Sequence, residues 1–196
     1  LPDGLFPQVK PENARRLVVA AMDAFAERGY HATTTRDIAA AAGMSPAALY
    51  VHFPSKSALL FAIARGGHEE ALDLVSRAVA SSVEPEQRIR RMVEDFVAWH
   101  ARKHRIARIV QYELHALPEP EFQVVRDLRR RTEELVRDVI AGGVEAGRFH
   151  VPDVATAALA VLSLGIDVAR WYASRAKPAP EELGRQYADL VLRMLR

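Results

Sequence analysis

The chain has 196 residues, 49% of them hydrophobic and 27% charged, which suits one large or two small domains with a buried core and excludes a disordered chain, a collagen and a disulfide scaffold. Its 27 Lys and Arg against 25 Asp and Glu leave a net charge of +2, so it is not a general polycation, and any contact with nucleic acid must be local. The lack of cysteine excludes thiolate metal sites and a cysteine nucleophile, and it accords with a soluble protein of the reducing cytoplasm.

Leu1 to Pro11 carries three prolines and no basic segment followed by an apolar one, so residues 1–11 are expected to form a flexible arm and not a signal peptide. From Glu12 onward a 3.6-residue apolar period recurs and strand patterns are nearly absent, which predicts an all-α fold of about nine helices. Leu17, Ala21 and Phe25 form the stripe of a first helix that Gly29 ends. Thr34 and Asp37 have capping-box spacing and open a short helix that ends at Gly43. Ser45 followed by Pro46 is an N-cap with proline at the first helical position, starting another short helix that reaches about Phe53.

Pro54 closes that helix, and Ser55 caps a longer one heading through Gly66-Gly67 towards Ser82. Further helices are expected from Pro85 to about His104, from Ile106 to Leu117, and from Phe122 to Gly147 with a bend at Gly142-Gly143. The last two are expected over 153–173, apolar almost all round, and over 180–196. The longest uncharged apolar run, Val154 to Ile166, is 13 residues, short of the roughly 18 to 20 that a membrane span requires, so no membrane partner is expected.

Thr33 to Lys56 therefore reads as two short capped helices around a glycine turn, with a basic residue in the turn that follows. That arrangement is a helix-turn-helix, in which the first helix braces the second and the second offers its outer side to the major groove. Leu49 and Phe53, four residues apart, face inward, leaving Ala47, Ala48, Tyr50, Val51 and His52 outward. The run Ala39-Ala40-Ala41-Ala42-Gly43-Met44-Ser45-Pro46-Ala47-Ala48-Leu49-Tyr50-Val51-His52-Phe53-Pro54-Ser55-Lys56, with Phe25, Gly29, Tyr30, Thr34, Thr35 and Ile38 ahead of it, resembles the signature of TetR-type transcriptional regulators.

The resemblance implies a DNA-binding domain over 12–54 and a ligand-binding and dimerisation domain over 55–196. It also implies that Thr35, Arg36, Ser45, Pro46, Ala47, Ala48, Tyr50, Val51, His52 and Lys56 form the DNA-contacting set. Thr35, Tyr50, His52 and Lys56 suit phosphates, while Arg36 has the reach and fork for a guanine edge. Ala47, Ala48 and Val51 stand where many members carry polar base readers, so they touch thymine methyls or pack closely, and DNA shape carries part of the specificity. Up to Lys56 the chain has six basic and five acidic residues, a thin electrostatic footprint that a homodimer would double.

The apolar segment 154–173 and the last helix offer faces for a four-helix interface between two subunits, which would place two recognition helices roughly 34 to 36 Å apart on a near-palindromic operator. Phe96, Trp99, His100, His104, Ile109, Tyr112, Glu113, Phe149, Trp171 and Tyr172 are bulky amphipathic groups beyond what a minimal core requires, and they are the candidate lining of a ligand pocket. The C-terminal stretches Gln111-Tyr112-Glu113, Val144 to Phe149, Val168 to Tyr172 and Gln186-Tyr187 are similar to TetR regulators of lipid and steroid catabolism that sense acyl-CoA thioesters. Arg102, Lys103, His104, Arg105 and Arg108, with Arg129, Arg130 and Arg131, are either receivers of CoA phosphates or a solvated basic face.

The expected function is a ligand-responsive repressor, released from its operator by a hydrophobic effector, with no cofactor or metal. An activator or a ligand-independent regulator would use the same DNA surface. His100 and His104 are spaced to share a metal but have no third ligand at helical spacing. No nucleophile elbow, phosphate loop or paired carboxylate-histidine motif supports an enzyme using those histidines and Glu113.

Overall fold

The computed structural model describes Phe6 and residues 9–174 and 178–196. Within them the chain is all-α, with nine α-helices and no strand: α1 Glu12–Arg28, α2 Thr35–Ala41, α3 Pro46–His52, α4 Lys56–Ala80, α5 Pro85–Arg102, α6 His104–Tyr112, α7 Glu119–Glu145, α8 Val154–Trp171 and α9 Pro180–Leu195. Short 3-10 turns follow α6 at Leu114–Ala116 and α8 at Tyr172–Ser174. The contacts divide the chain into two compact units, one running to His68 and taking in Arg105–Arg126, the other comprising Glu69–His104 and residues from Asp127 on. This division by packing differs from the one drawn at residue 54 from the motif, because the first half of α4 and all but the first residue of α6 belong with the N-terminal helices.

The expected α1 stripe is present, with Leu17 and Ala21 fully buried and Phe25 nearly so. Around it lie Ile38 of α2, Leu49 of α3, Leu59, Leu60 and Ile63 of α4, Ile106, Ile109 and Val110 of α6, and Val125 of α7. The expected arm lies largely outside the described residues, but Phe6 is buried in this core and Val9 packs against it. A single anchoring ring has no periodicity and so leaves no pattern to read.

In the second unit α5 lies along α9, and Gly184 allows the approach, since a Cβ there would overlap the backbone of Glu94. Gly165 of α8 likewise makes room for the Phe96 ring. The core gathers Val75, Met92, Phe96, Val136, Ile140, Phe149, Val161, Leu183, Val191 and Leu195. Asp153 caps α8, accepting from the Thr156 N–H at 2.7 Å, and its carboxyl is held below the usual range first by a hydrogen bond from the Thr156 side chain and then by that backbone N–H.

Several helical features differ from the expectation. α7 begins at Glu119, not Phe122, because Pro120 sits in the first turn, where a missing N–H removes no helical hydrogen bond. The segment expected from Ile106 to Leu117 is helical only to Tyr112 before the 3-10 turn. α7 also runs unbroken through Gly142-Gly143; a Cβ at Gly143 would overlap the Phe149 ring, so this glycine seats an aromatic side chain. α8, with 18 residues and a mean hydropathy of 1.5, is long and apolar enough to cross a membrane by length and composition, which the 13-residue uncharged run did not suggest. Its two charges pair with each other, Arg170 Nε donating to Asp167 at 2.7 Å, and the Ala158, Val161, Leu162 and Val168 side is buried in the second core.

Candidate functional site

The α2–α3 region is built by short-range hydrogen bonds. Thr34 Oγ1 accepts from the Asp37 N–H at 3.2 Å and Asp37 Oδ2 accepts from the Thr34 N–H at 2.9 Å, closing the capping box. The Thr34 hydroxyl also donates to Asp37 Oδ2 at 2.7 Å, and this bond, followed by that from the Thr34 N–H, holds the Asp37 carboxyl below the usual range. Ser45 Oγ accepts from the Ala48 N–H at 3.1 Å and starts α3. Between the two helices Gly43 has φ +67, a left-handed conformation that favours glycine.

The turn is braced from α1, where the Arg16 guanidinium donates to the Ala42 carbonyl at 2.7 Å. Thr33, buried behind α2, donates its hydroxyl to the Gly29 carbonyl at 2.8 Å. Neither Arg16 nor Thr33 was found by sequence reasoning, because their partners are backbone carbonyls 26 and four residues away and no spacing rule encodes such pairs.

The outward side of α3 is as expected from its register. Leu49 is fully buried, while Tyr50 is 53% and Val51 79% exposed. Phe53, expected inside the helix, follows it in an extended conformation and still packs on the first core. Ser45, Pro46 and Ala47 are exposed, and Ala48 and His52 are half-buried. Thr35 Oγ1 and Tyr50 Oη lie 3.1 Å apart, so the first residue of α2 and the middle of α3 present one joined polar ridge. Arg36 is exposed beside it and bonds no protein group among the described residues.

Lys56 is placed differently from the other cations of the set. Its ammonium donates to the carbonyls of Tyr30 at 2.8 Å, Thr33 at 2.9 Å and, more weakly, His31 at 3.4 Å, and it lies 4.3 Å from the centre of the Tyr30 ring. Lys56 thereby holds the α1–α2 connection to the start of α4. Tyr30 is clasped on its other side too, since its N–H points to Glu113 Oε1 at 3.4 Å. Burial, and secondarily the Glu113 charge, push the Tyr30 hydroxyl above its usual range.

The candidate pocket residues are split between the units. Ile109 is buried in the first core, Glu113 faces Tyr30, and Tyr112 is 53% exposed, all in the first unit. In the second unit the rings form two groups, one within α5 and one joining His104, at the start of α6, to the end of α8. Phe96 and His100 lie 4.2 Å apart, Trp99 and His100 4.8 Å, and His104 and Tyr172 as well as Trp171 and Tyr172 6.2 Å. His100 and His104 direct Nδ1 to the carbonyls of Phe96 and Ala101, at 2.8 and 3.0 Å. Among the described residues no group of three or more His, Asp or Glu is placed to hold a metal ion. Phe149 fills the core beside Gly143.

The basic clusters are largely matched. Arg102 pairs with Glu181, Lys103 with Glu70, Arg105 with Asp23 and Glu27, and Arg130 with Asp127 and Glu134. Arg108, Arg129 and Arg131 are exposed.

A compact helix-turn-helix with an exposed recognition face, followed by a helical domain, defines a DNA-binding regulator. Comparison with known proteins agrees. Residues 17–63 match the family described as bacterial regulatory proteins, tetR family, and residues 82–195 match the tetracyclin repressor-like C-terminal domain. The chain belongs to the TetR family of transcriptional regulators, and its business is with DNA, not catalysis.

Among its relatives is the HTH-type transcriptional repressor KstR2 of Mycobacterium tuberculosis, 30% identical over 92% of each chain. The HTH-type transcriptional activator FasR of Mycolicibacterium smegmatis is also 30% identical, over 88% of this chain and 78% of that one. A tetR-family regulatory protein of Rhodococcus RHA1 superposes with a TM-score of 0.91 at 40% identity, over 95% of this chain and 98% of that one. AibR, solved with isovaleryl coenzyme A and operator DNA, shares the fold with a TM-score of 0.82 at 23% identity, over 94% and 98%.

Proposed function

We propose that the protein is a homodimeric, cytoplasmic repressor that occupies a near-palindromic operator and leaves it when a hydrophobic effector, an acyl-CoA thioester, binds the helical domain. The observation that carries this reading is the joined ridge of Thr35 and Tyr50 with the exposed Val51, a polar and methyl-bearing surface with no use in packing. Residues 12–54 bind the DNA and residues 55–196 hold the effector and pair the subunits. Arg36 reads a base edge, Thr35, Tyr50 and His52 position the backbone, and Ala47, Ala48 and Val51 meet thymine methyls. Ser45 and Pro46 set the N-terminus of α3 against the DNA. Lys56 contributes chiefly by holding the α1–α2 connection, and its charge reaches phosphate only at longer range.

Leu159 and Leu164 of α8 and Leu190 and Met194 of α9 are exposed apolar side chains on the two helices that form the interface in this reading. The KstR2 likeness supports repression, and the coenzyme A complex of AibR, which shares the fold, supports an acyl-CoA effector. α4 runs without a break from Lys56 to Ala80, so a shift at its far end changes the placement of α3 relative to its twin. An effector with tenfold to 100-fold preference for the non-binding form supplies about 1.4 to 2.7 kcal/mol for this switch.

The likeness to FasR favours a second reading, an activator on the same scaffold. Transcript levels of the genes beside the operator distinguish the two. Deletion of the gene raises them for a repressor and lowers them for an activator.

A further inference from the structure

Among the described residues, three buried side-chain nitrogen and oxygen atoms find no hydrogen-bond partner: Arg15 Nε, Glu121 Oε2 and Trp99 Nε1. The first two belong to groups with other polar atoms, and Arg15 pairs with Glu12 through Nη1 at 3.0 Å. An indole has a single polar atom, so the hydrogen-bonding capacity of Trp99 is wholly unmet. The residue is only 6% exposed, and it belongs to neither apolar core among the described residues. Buried donors without a partner are rare because leaving one unmet is unfavourable, so such a donor marks a place where something else completes the bond.

The surroundings of Trp99 in its own unit indicate what that is. His100 lies against it with ring centres 4.8 Å apart, and Phe96 lies against His100. The Nδ1 of that neighbouring His100 is already committed to the Phe96 carbonyl at 2.8 Å. Trp99 Nε1–H is thus an unused donor beside aromatic faces, which suits an apolar molecule bearing one oxygen acceptor.

We infer that Trp99 is the polar anchor of the effector site, donating its indole N–H to the carbonyl oxygen of an acyl thioester whose chain lies against the neighbouring rings. This inference rests on the acyl-CoA reading above and gives it a residue and an atom. A hydrogen bond of this kind favours a ligand with the carbonyl by about tenfold over one without it.

The chain has two tryptophans, so ¹⁵N-tryptophan labelling gives two indole N–H resonances, assigned with Trp99→Phe and Trp171→Phe. The probes are octanoyl-CoA and its thioether analogue S-octyl-CoA, which lacks the carbonyl oxygen. Octanoyl-CoA is expected to move the Trp99 resonance downfield and slow its exchange with solvent, whereas S-octyl-CoA does neither. Calorimetry should show the wild type preferring the thioester by about tenfold and Trp99→Phe binding both compounds alike. Octanoyl-CoA binding that leaves the Trp99 resonance in place, as when a resident water already satisfies the donor, overturns the anchor while keeping the effector class. Equal binding of the two compounds by the wild type does the same. Binding of neither compound overturns the acyl-CoA class and the anchor with it.

Discussion

The recognition region and the aromatic region of α5 and α8 are built on opposite plans. In α2 and α3 the polar side chains that start each helix are matched within three residues by backbone groups, as in the Thr34–Asp37 box and the Ser45 cap. Among the aromatic side chains of the second unit, His104 and Tyr172 meet from segments some 70 residues apart, and the Trp99 indole is left as a buried donor without a match. In the function proposed above, local matching sets a surface that fits one shape, the DNA groove. In the same proposed function, unmatched polarity among aromatic faces leaves a site for a ligand to complete.

The firmest way to break this contrast is to loosen the rigid half. Leu49→Ala removes a fully buried side chain from beneath α3 and is expected to destabilise the protein by about 2–5 kcal/mol, read as a lower denaturation midpoint together with loss of operator binding. Leu190→Glu places a charge on the exposed α9 face; in the dimer of the proposed function it forfeits about 1.5–3 kcal/mol per subunit, so sedimentation velocity should show monomer while helix content is kept. Monomer and dimer in wild-type proportion would remove that interface.

Arg36→Ala separates surface from scaffold. With no protein partner to lose, its melting temperature should match wild type, whereas discrimination at one base pair of the operator falls by about 1–3 kcal/mol in a competition series of substituted duplexes. Gly43→Ala forces a Cβ into a left-handed turn and should lower stability by about 1 kcal/mol in urea melts.

The smallest effect concerns pH. Asp37 titrates below its unfolded value in the folded chain, so its contribution is full above the ordinary carboxylate range and disappears as the pH falls through the lowered value. Asp37→Asn should flatten that acid limb of the stability curve and leave the neutral side of the curve parallel to wild type.

The same contrast explains what could be read in advance. The helix-turn-helix was legible because its determinants are local: a cap, a glycine with positive φ, a proline at the first helical position and a four-residue apolar spacing from Leu49 to Phe53. Its bracing was not, since Arg16 and Lys56 act on carbonyls 26 residues from themselves. Lys56 shows the limit most directly. A cation at the head of a helix suits a phosphate, yet three nearby carbonyls and the Tyr30 ring draw its ammonium inward.

Side-chain type, which singles out the ten candidate pocket residues, does not report which core a residue joins. Ile109 and Glu113 pack with the N-terminal helices, and Phe149 is held by Gly143, while Phe96, Trp99, His100, His104, Trp171 and Tyr172 gather in the second unit. The start of α7 at Glu119 was missed for a related reason, because a proline signals a boundary without telling on which side of it the helix lies.

The most direct test of the central claim is fluorescence anisotropy of the purified protein on the duplex upstream of its own gene, over a salt series, with and without octanoyl-CoA. The account predicts salt-sensitive binding of two subunits per site, with release when the thioester is added. Binding that persists at saturating octanoyl-CoA contradicts the effector reading, and no binding to that duplex or to a selected random library, even at low salt, contradicts the assignment of the α2–α3 face to DNA.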